Sequence, residues 1–341
     1  MEKKLSLESP FSSKVKDLFN ALKVPGSSYL HFITLSLILL LAAVIRILPL
    51  RWGFFISEFD PYQQYRMAEY IVNNGFKAWF NWHDYMSWYP WGRDIPTTNY
   101  PGVSFTAALL YMLLQDLGVP ITLYQLCVIF PVIMGVATCL AAYLLGREWS
   151  KSIGLLSALF LAFSTSHITR TSLGFFDDET IGIFTMLLFF MFYLKALSPS
   201  RSLRGSIIYA LLAGLSLSYI GMGWGAFRYP ASLIALFTLV LVFIKRYSTK
   251  LLIAYATTYS VFFLVSLQIP KLGYSFLTEW STLALFSILP LLIGYETFNR
   301  VKSVRGRVLV SSFFAACLVI GIIILWSKGL IAPLAGKFAA I

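Results

Sequence analysis

Charge is scarce in this sequence: Asp, Glu, Lys and Arg make up 12% of its 341 residues, against 58% hydrophobic and 17% aromatic. Such a balance excludes a soluble domain with a buried core, because that much apolar surface needs lipid to face. Cysteine is also rare. Cys127, Cys139 and Cys317 all lie inside apolar segments, form no CxxC pair and supply no disulfide framework, so they carry no sign of a redox compartment. There is no regular ten-residue alternation of the kind a membrane barrel needs, no internal repeat and no low-complexity linker. The first 28 residues lack an apolar core followed by a small-residue cleavage site. They read as a basic, partly amphipathic cytoplasmic tail leading into an uncleaved first span.

Acids are scarcer than bases, 15 against 27, for a net charge of +12. The bases sit in short clusters between apolar runs, which suits topology control and not a phosphate-binding face, so nucleic acid is excluded as a partner. What the sequence does have is long apolar runs. Nine approach the roughly 20 residues of a membrane helix: 29–50, 121–145, 152–170, 180–197, 205–222, 229–244, 251–269, 281–298 and 308–326. A further stretch, 103–118, is short and ends in Gln115-Asp116, so it is expected as a helix at the outer interface. With that assignment, 17 of the 27 basic residues fall on the inside and every inside loop holds at least two. Ten of the 15 acids fall outside. The opposite parity would expose most of the bases, against the positive-inside tendency. The expectation is an all-α, polytopic membrane protein of about nine spans. Its long first external loop covers 51–120, with interfacial helices, and residues 29–341 form one membrane domain after the 1–28 tail.

Two external stretches concentrate the acids: SEFDPYQQYR (57–66) and GFFDDETIGIF (174–184). Acids in a first helical turn ordinarily cap orphan N–H groups and complement the macrodipole, and Asp60 before Pro61 fits an N-cap equally well. Capping needs one or two acids, whereas Asp177, Asp178 and Glu179 are three in succession. In an extended approach to a helix, positions i and i+2 point the same way, so Asp177 and Glu179 can face one cation. Carboxylates gathered from both stretches would repel one another unless a cation lies among them, and all-oxygen ligands suit Mg²⁺ or Mn²⁺ better than zinc. Catalytic and metal-binding candidates are therefore Asp60, Asp177 and Glu179, with Asp178 beside them.

Between the two stretches runs FNWHDYMSWYPWGRDIPTTNYPG (80–102), rich in Trp, Tyr, Pro and Gly. Several of its rings suit an interfacial aromatic belt. His83, Asp84, Trp88 and Arg93 are candidates for supporting the metal or binding substrate. Arg170, a few residues before the acids, either snorkels or offers a guanidinium to phosphate. Trp224 and Arg228, in YIGMGWGAFRYP, form another outer turn with the same two readings, aromatic belt or phosphate and lipid contact.

The segments EFDPYQQYR, WYPWGR with the YPG after it, ITRTSLGFFDDETIGIF and GMGWGAF resemble, in that order, signatures of the oligosaccharyltransferase catalytic subunit family. The overall look is nearest its archaeal branch, and the resemblance runs from about residue 29 to the C-terminus. It implies a GT-C-type glycosyltransferase transmembrane domain that moves an oligosaccharide, with inversion, from a dolichol or polyprenyl (di)phosphate carrier onto the asparagine of N-x-Ser/Thr acceptors. It implies that Asp60, Asp177 and Glu179 surround a catalytic Mn²⁺ or Mg²⁺. The family commonly has Asn at the middle position where this chain has Asp178, so which two of the three acids bind the ion stays open. Implied partners are a lipid-linked oligosaccharide, an acceptor polypeptide and the bilayer; no motif speaks to oligomeric state. The implied location is the plasma membrane with the site external, or the endoplasmic reticulum membrane in a eukaryote. A later external glutamate and a soluble C-terminal domain with a WWD-type motif have no counterpart here. Glu279 lies one loop too early for that glutamate, and the chain is expected to be the N-terminal portion of a longer enzyme. The rival readings are another polyprenyl-phosphate sugar transferase, such as a protein O-mannosyltransferase, and a cation transporter. The second is disfavoured because the acids lie at a rim and not at the midplane.

Overall fold

The computed structural model describes residues 28–327; apart from Ser28, the expected 1–28 tail lies outside the described residues. The helices are α1 (Ser28–Ile47), α2 (Phe59–Asn74), α3 (Phe76–Trp79), α4 (Ile95–Thr98), α5 (Gly102–Asp116), α6 (Leu123–Gly146), α7 (Lys151–Ala162) and α8 (Thr165–Thr169). They continue as α9 (Glu179–Leu197), α10 (Leu203–Gly223), α11 (Arg228–Phe243), α12 (Thr249–Ser266), α13 (Trp280–Arg300) and α14 (Val304–Ser327). A small antiparallel ribbon, β1 (His83–Asp84) with β2 (Arg93–Asp94), pairs His83 with Asp94 and Asp84 with Arg93. Among the described residues, eight helices are long and apolar enough to cross a membrane, and Lys151–Ala162 is a shorter apolar one.

The expected spans all correspond to helices, with one change of form. The run 152–170 is broken, ending as α7 at Ala162 and restarting as α8 after an extended Ser164. The buried Arg46 guanidinium meets the break, donating to the Ala162 carbonyl at 3.4 Å. A charge at a helix C-terminus satisfies carbonyls that have no partner further along. The segment expected at the interface is the 15-residue α5, packed on α2 and α3 by Phe105 edge-on to both Phe76 and Trp79.

The chain forms two compact units. The first comprises the chain up to Trp79 and Pro101–Met191; the second comprises Phe80–Tyr100 and the chain from Phe192 onward. The partition falls inside α9. In the first unit α1, α6 and α7 pack around Ile38, Ala42, Cys139, Tyr143, Ala158 and Ala162. Small residues let backbones approach, the usual means of helix association where lipid is as apolar as the side chains. In the second unit α10 and α12 meet most closely, and Thr258 Oγ1 donates to the Ala210 carbonyl at 3.1 Å. Hydroxyl caps start the helices where the apolar runs begin: Ser150, Ser202 and Ser248 accept from the N–H groups of Ile153, Gly205 and Leu251.

Gly214 lies where α10 and α12 approach closely. A Cβ there would lie 2.8 Å from both the Thr258 carbonyl oxygen and Val261 Cβ. Gly205, on the same helix, has no neighbour closer than 3.5 Å. Gly214→Val is expected to cost about 1–3 kcal/mol by overpacking, seen as a lowered thermal midpoint of the protein in lipid nanodiscs. Gly205→Ala is expected to leave the midpoint unchanged or raise it, since Ala is the better helix former.

Candidate active site

The site is built in the first unit, from the segment after α1 and the turn before α9. Arg46, near the end of α1, is fully buried. Its Nε donates to Thr171 Oγ1 at 2.8 Å, one terminal nitrogen donates to the Ala42 carbonyl at 3.0 Å, and the other reaches His167 Nδ1 at 2.8 Å. A guanidinium only donates, so Nδ1 of His167 is the acceptor and its proton sits on the other ring nitrogen. α6 passes close by because Gly135 has no side chain; a Cβ would lie 2.5 Å from Arg46 Nε.

From this foundation the chain is led to the acids by backbone bonds. Leu173 N donates to the Arg46 carbonyl at 2.9 Å, Gly174 N to Val128 at 2.9 Å, and Ser57 N to Gly174 at 3.0 Å. Gly174 has φ +86°, and a Cβ there would sit 2.2 Å from the Phe55 carbonyl oxygen. Only glycine fits both the conformation and the approach. Glu58, at the start of α2, adopts φ 67° and ψ 174°, a region otherwise left to glycine and costing a few kcal/mol at most.

Asp60 is exposed in the first turn of α2, while Asp177 is buried just ahead of α9. Asp177 is pushed up to about 6, mainly by its burial, with the charges of Glu179 and Asp60 acting in the same direction. The Asp178 N–H, donating to Asp177 Oδ1 at 2.8 Å, and Arg170 oppose the rise. Arg170 approaches Glu179 at 3.6 Å and lies over the Phe175 ring. The other Glu179 oxygen is buried without a hydrogen-bond partner. Among the described residues no three His, Cys, Asp or Glu side chains already converge as a ready-made cage. The uncompensated Glu179 oxygen and the mutual repulsion of three carboxylates nevertheless fit a hard divalent cation, which takes oxygen ligands and relieves both. Asp178 is engaged differently: its Oδ1 accepts from Gln64 Nε2 at 2.7 Å.

The remaining candidates belong to the second unit, and most are engaged within it. Asp84 is buried and accepts from Met86 N at 3.0 Å and Ser87 Oγ at 2.6 Å, which closes the turn between β1 and β2. His83 lies on the Tyr85 ring and bonds the Trp91 carbonyl at 3.2 Å. Trp88 is exposed with Arg93 above its ring, and Arg93 holds Thr98 at 2.9 Å. Trp224 ends α10, its N–H on the Ile220 carbonyl. Arg228 and Glu279 form a bidentate pair, at 3.0 and 2.7 Å, so the charge considered for phosphate contact is neutralised by an acid of the same unit. Sequence reasoning passed over Arg46 and Gln64. A charge inside an apolar run and a polar residue one turn beyond Asp60 were the available signals.

The architecture has known counterparts. AglB, the archaeal oligosaccharyltransferase of Archaeoglobus fulgidus, solved with an inhibitory peptide and a dolichol-phosphate, superposes with a TM-score of 0.64 at 19% identity. That match covers 90% of this chain and 39% of AglB. A structure of the Archaeoglobus fulgidus enzyme with Zn and sulfate gives 0.62 at 20% identity, over 87% of this chain and 40% of that one. The fold is therefore that of GT-C-type polytopic membrane glycosyltransferases. Residues 29–341 match the family described as oligosaccharyl transferase STT3, N-terminal, and the chain belongs to it. Among curated relatives it is 33% identical over 314 residues to the dolichyl-diphosphooligosaccharide–protein glycosyltransferase subunit STT3B of Oryza sativa subsp. japonica, covering 89% of this chain and 43% of that protein. It is 35% identical over 292 residues to subunit STT3 of Saccharomyces cerevisiae, covering 83% and 40%. The chain thus spans about two fifths of the length of these relatives.

Arg46→Leu strands the Thr171, His167 and Ala162 acceptors in the interior, each worth about 1–3 kcal/mol when left unmade. The expected outcome is a lower melting temperature together with new proteolytic cleavage within 171–178, read by mass spectrometry of the digested protein.

Proposed function

We propose that this chain supplies the donor and metal half of an oligosaccharyltransferase. In the complete enzyme it transfers an oligosaccharide from a dolichol or polyprenyl (di)phosphate carrier to the asparagine amide of N-x-Ser/Thr acceptors. The observation that carries this reading is the hydrogen bond joining Ser57 to Gly174, which ties the Asp60 segment to the Asp177–Glu179 turn in a chain of the STT3 family. Asp60, Asp177 and Glu179 would hold a Mn²⁺ or Mg²⁺ ion. When bound, that ion supplies Lewis-acid stabilisation of the negative charge that develops on the departing phosphate.

Asp60, the exposed member of the three, orients the acceptor amide and draws on its N–H, which weakens conjugation in an otherwise poor nucleophile. The amide nitrogen then attacks the anomeric carbon opposite the phosphate. A C–N bond forms, the C–O bond breaks with its electron pair leaving on the phosphate, the configuration inverts, and the proton lost from nitrogen passes by way of the exposed Asp60 carboxylate to water. Arg170 stands at the rim and limits repulsion among the carboxylates through Glu179. The site faces outward from the plasma membrane, or into the lumen of the endoplasmic reticulum in a eukaryote, with the loop 51–120 above the bilayer.

In the complete enzyme, Asp60→Ala and Asp177→Ala are each expected to abolish transfer to a sequon peptide while membrane insertion is unchanged. Chelation is expected to do the same, reversed by Mn²⁺. Near-normal transfer by either variant would falsify the assignment.

A further inference from the structure

The two acidic segments are cross-linked twice, and the links bracket the acids. On one side Ser57 N donates to the Gly174 carbonyl. On the other, Gln64 Nε2 donates to Asp178 Oδ1 at 2.7 Å. Asp60 lies between positions 57 and 64, and Asp177 lies between 174 and 178. A single link would leave the segments free to pivot; two links on either side of the acids set their register.

Gln64 is suited to the second link. It stands one helical turn after Asp60 on α2, so the two side chains leave the same face. It is also buried, unlike the exposed Asp60, while its partner Asp178 is half-buried, so the bond is partly sheltered from water. The carboxylate of Asp178 only accepts, so the amide must present its NH₂ there. Asp178 in turn stands at the start of α9, its carbonyl accepting from Gly182 N at 2.9 Å. The clamp therefore grips the helix that begins with Glu179.

We propose that Gln64 is a positioning residue of the cation site. Through Asp178 it sets the register in which Asp60 meets Asp177 and Glu179, and it commits the middle acid to that bond instead of to the ion. This rests on the cation reading above. Polar partners that orient metal ligands typically alter metal affinity about 10- to 100-fold when removed.

The test measures Mn²⁺ binding by electron paramagnetic resonance of the free ion, with a thermal melt for each variant, on the complete enzyme in nanodiscs. Asp178→Asn keeps an acceptor oxygen for Gln64 and is expected to hold Mn²⁺ within about twofold of the parent. Gln64→Leu and Asp178→Leu are expected to weaken it about tenfold or more, at a melting temperature near that of the parent. Gln64→Glu sets two carboxylates face to face and is also expected to weaken it. Adding Asp178→Asn rebuilds the bond with reversed polarity at the original net charge, and affinity is expected to recover. The inference is overturned if Asp178→Asn loses Mn²⁺ as severely as Asp177→Ala, because Asp178 is then a ligand. It is equally overturned if Gln64→Leu binds like the parent, or if the Gln64→Glu, Asp178→Asn double variant does not recover. The last comparison decides the matter should Gln64→Leu fail to fold. Unchanged binding in Asp60→Ala and Asp177→Ala would instead remove the cation site itself, a separate result.

Discussion

A guanidinium buried among apolar helices must find a partner for its donors, and the first unit is organised by how Arg46 finds them. Its hydrogen bonds collect a carbonyl from its own helix, the last carbonyl of α7, a histidine ring and a threonine hydroxyl. Among the described residues no carboxylate contributes. Leaving any of those donors unmade in the interior would cost about 1–3 kcal/mol or more. One span ends at Ala162, and the segment 165–171 returns to α1 through the bonds of His167 and Thr171 to Arg46. That return leads directly to the acidic turn, because the next residues, Leu173 and Gly174, bond the Arg46 and Val128 carbonyls in succession.

A second constraint works against the first. Asp177 is raised chiefly by its burial, and the like charges of Glu179 and Asp60 add to that rise. The structure offsets this through Arg170, through the Asp178 backbone N–H and through the cross-links at 57–174 and 64–178. A glycine that alone tolerates the approach of the Phe55 carbonyl and a strained backbone at Glu58 are the local costs. Rigid surroundings of this kind are what the proposed cation site would require of a preorganised electrostatic environment.

In the second unit the same residue types serve stability. Asp84 closes a turn, Arg93 is held by Thr98, and Lys271 sits 3.9 Å from the Tyr100 ring centre while donating to the Thr98 carbonyl. Arg228 and Glu279 satisfy each other at the starts of α11 and α13. The loop 80–100 is thereby held to the ends of those helices, with Trp88, Tyr89 and Trp91 exposed at its tip.

The sequence by itself determined the class and the approximate spans, because helix is the backbone form that satisfies its own hydrogen bonds in lipid and long apolar runs announce it. It also exposed the two acidic motifs, whose density of charge stands out in so apolar a chain. Tertiary structure alone decided which charges are spent on each other. Arg228 with Glu279 are 51 positions apart and Gln64 with Asp178 are 114 apart, and no local pattern encodes such pairings. The contact at the Ala162 break was equally hidden, since the Arg46 side chain that meets it lies 116 positions earlier. Hydropathy is a sum over neighbours in the chain, whereas a buried hydrogen bond is a choice among neighbours in space.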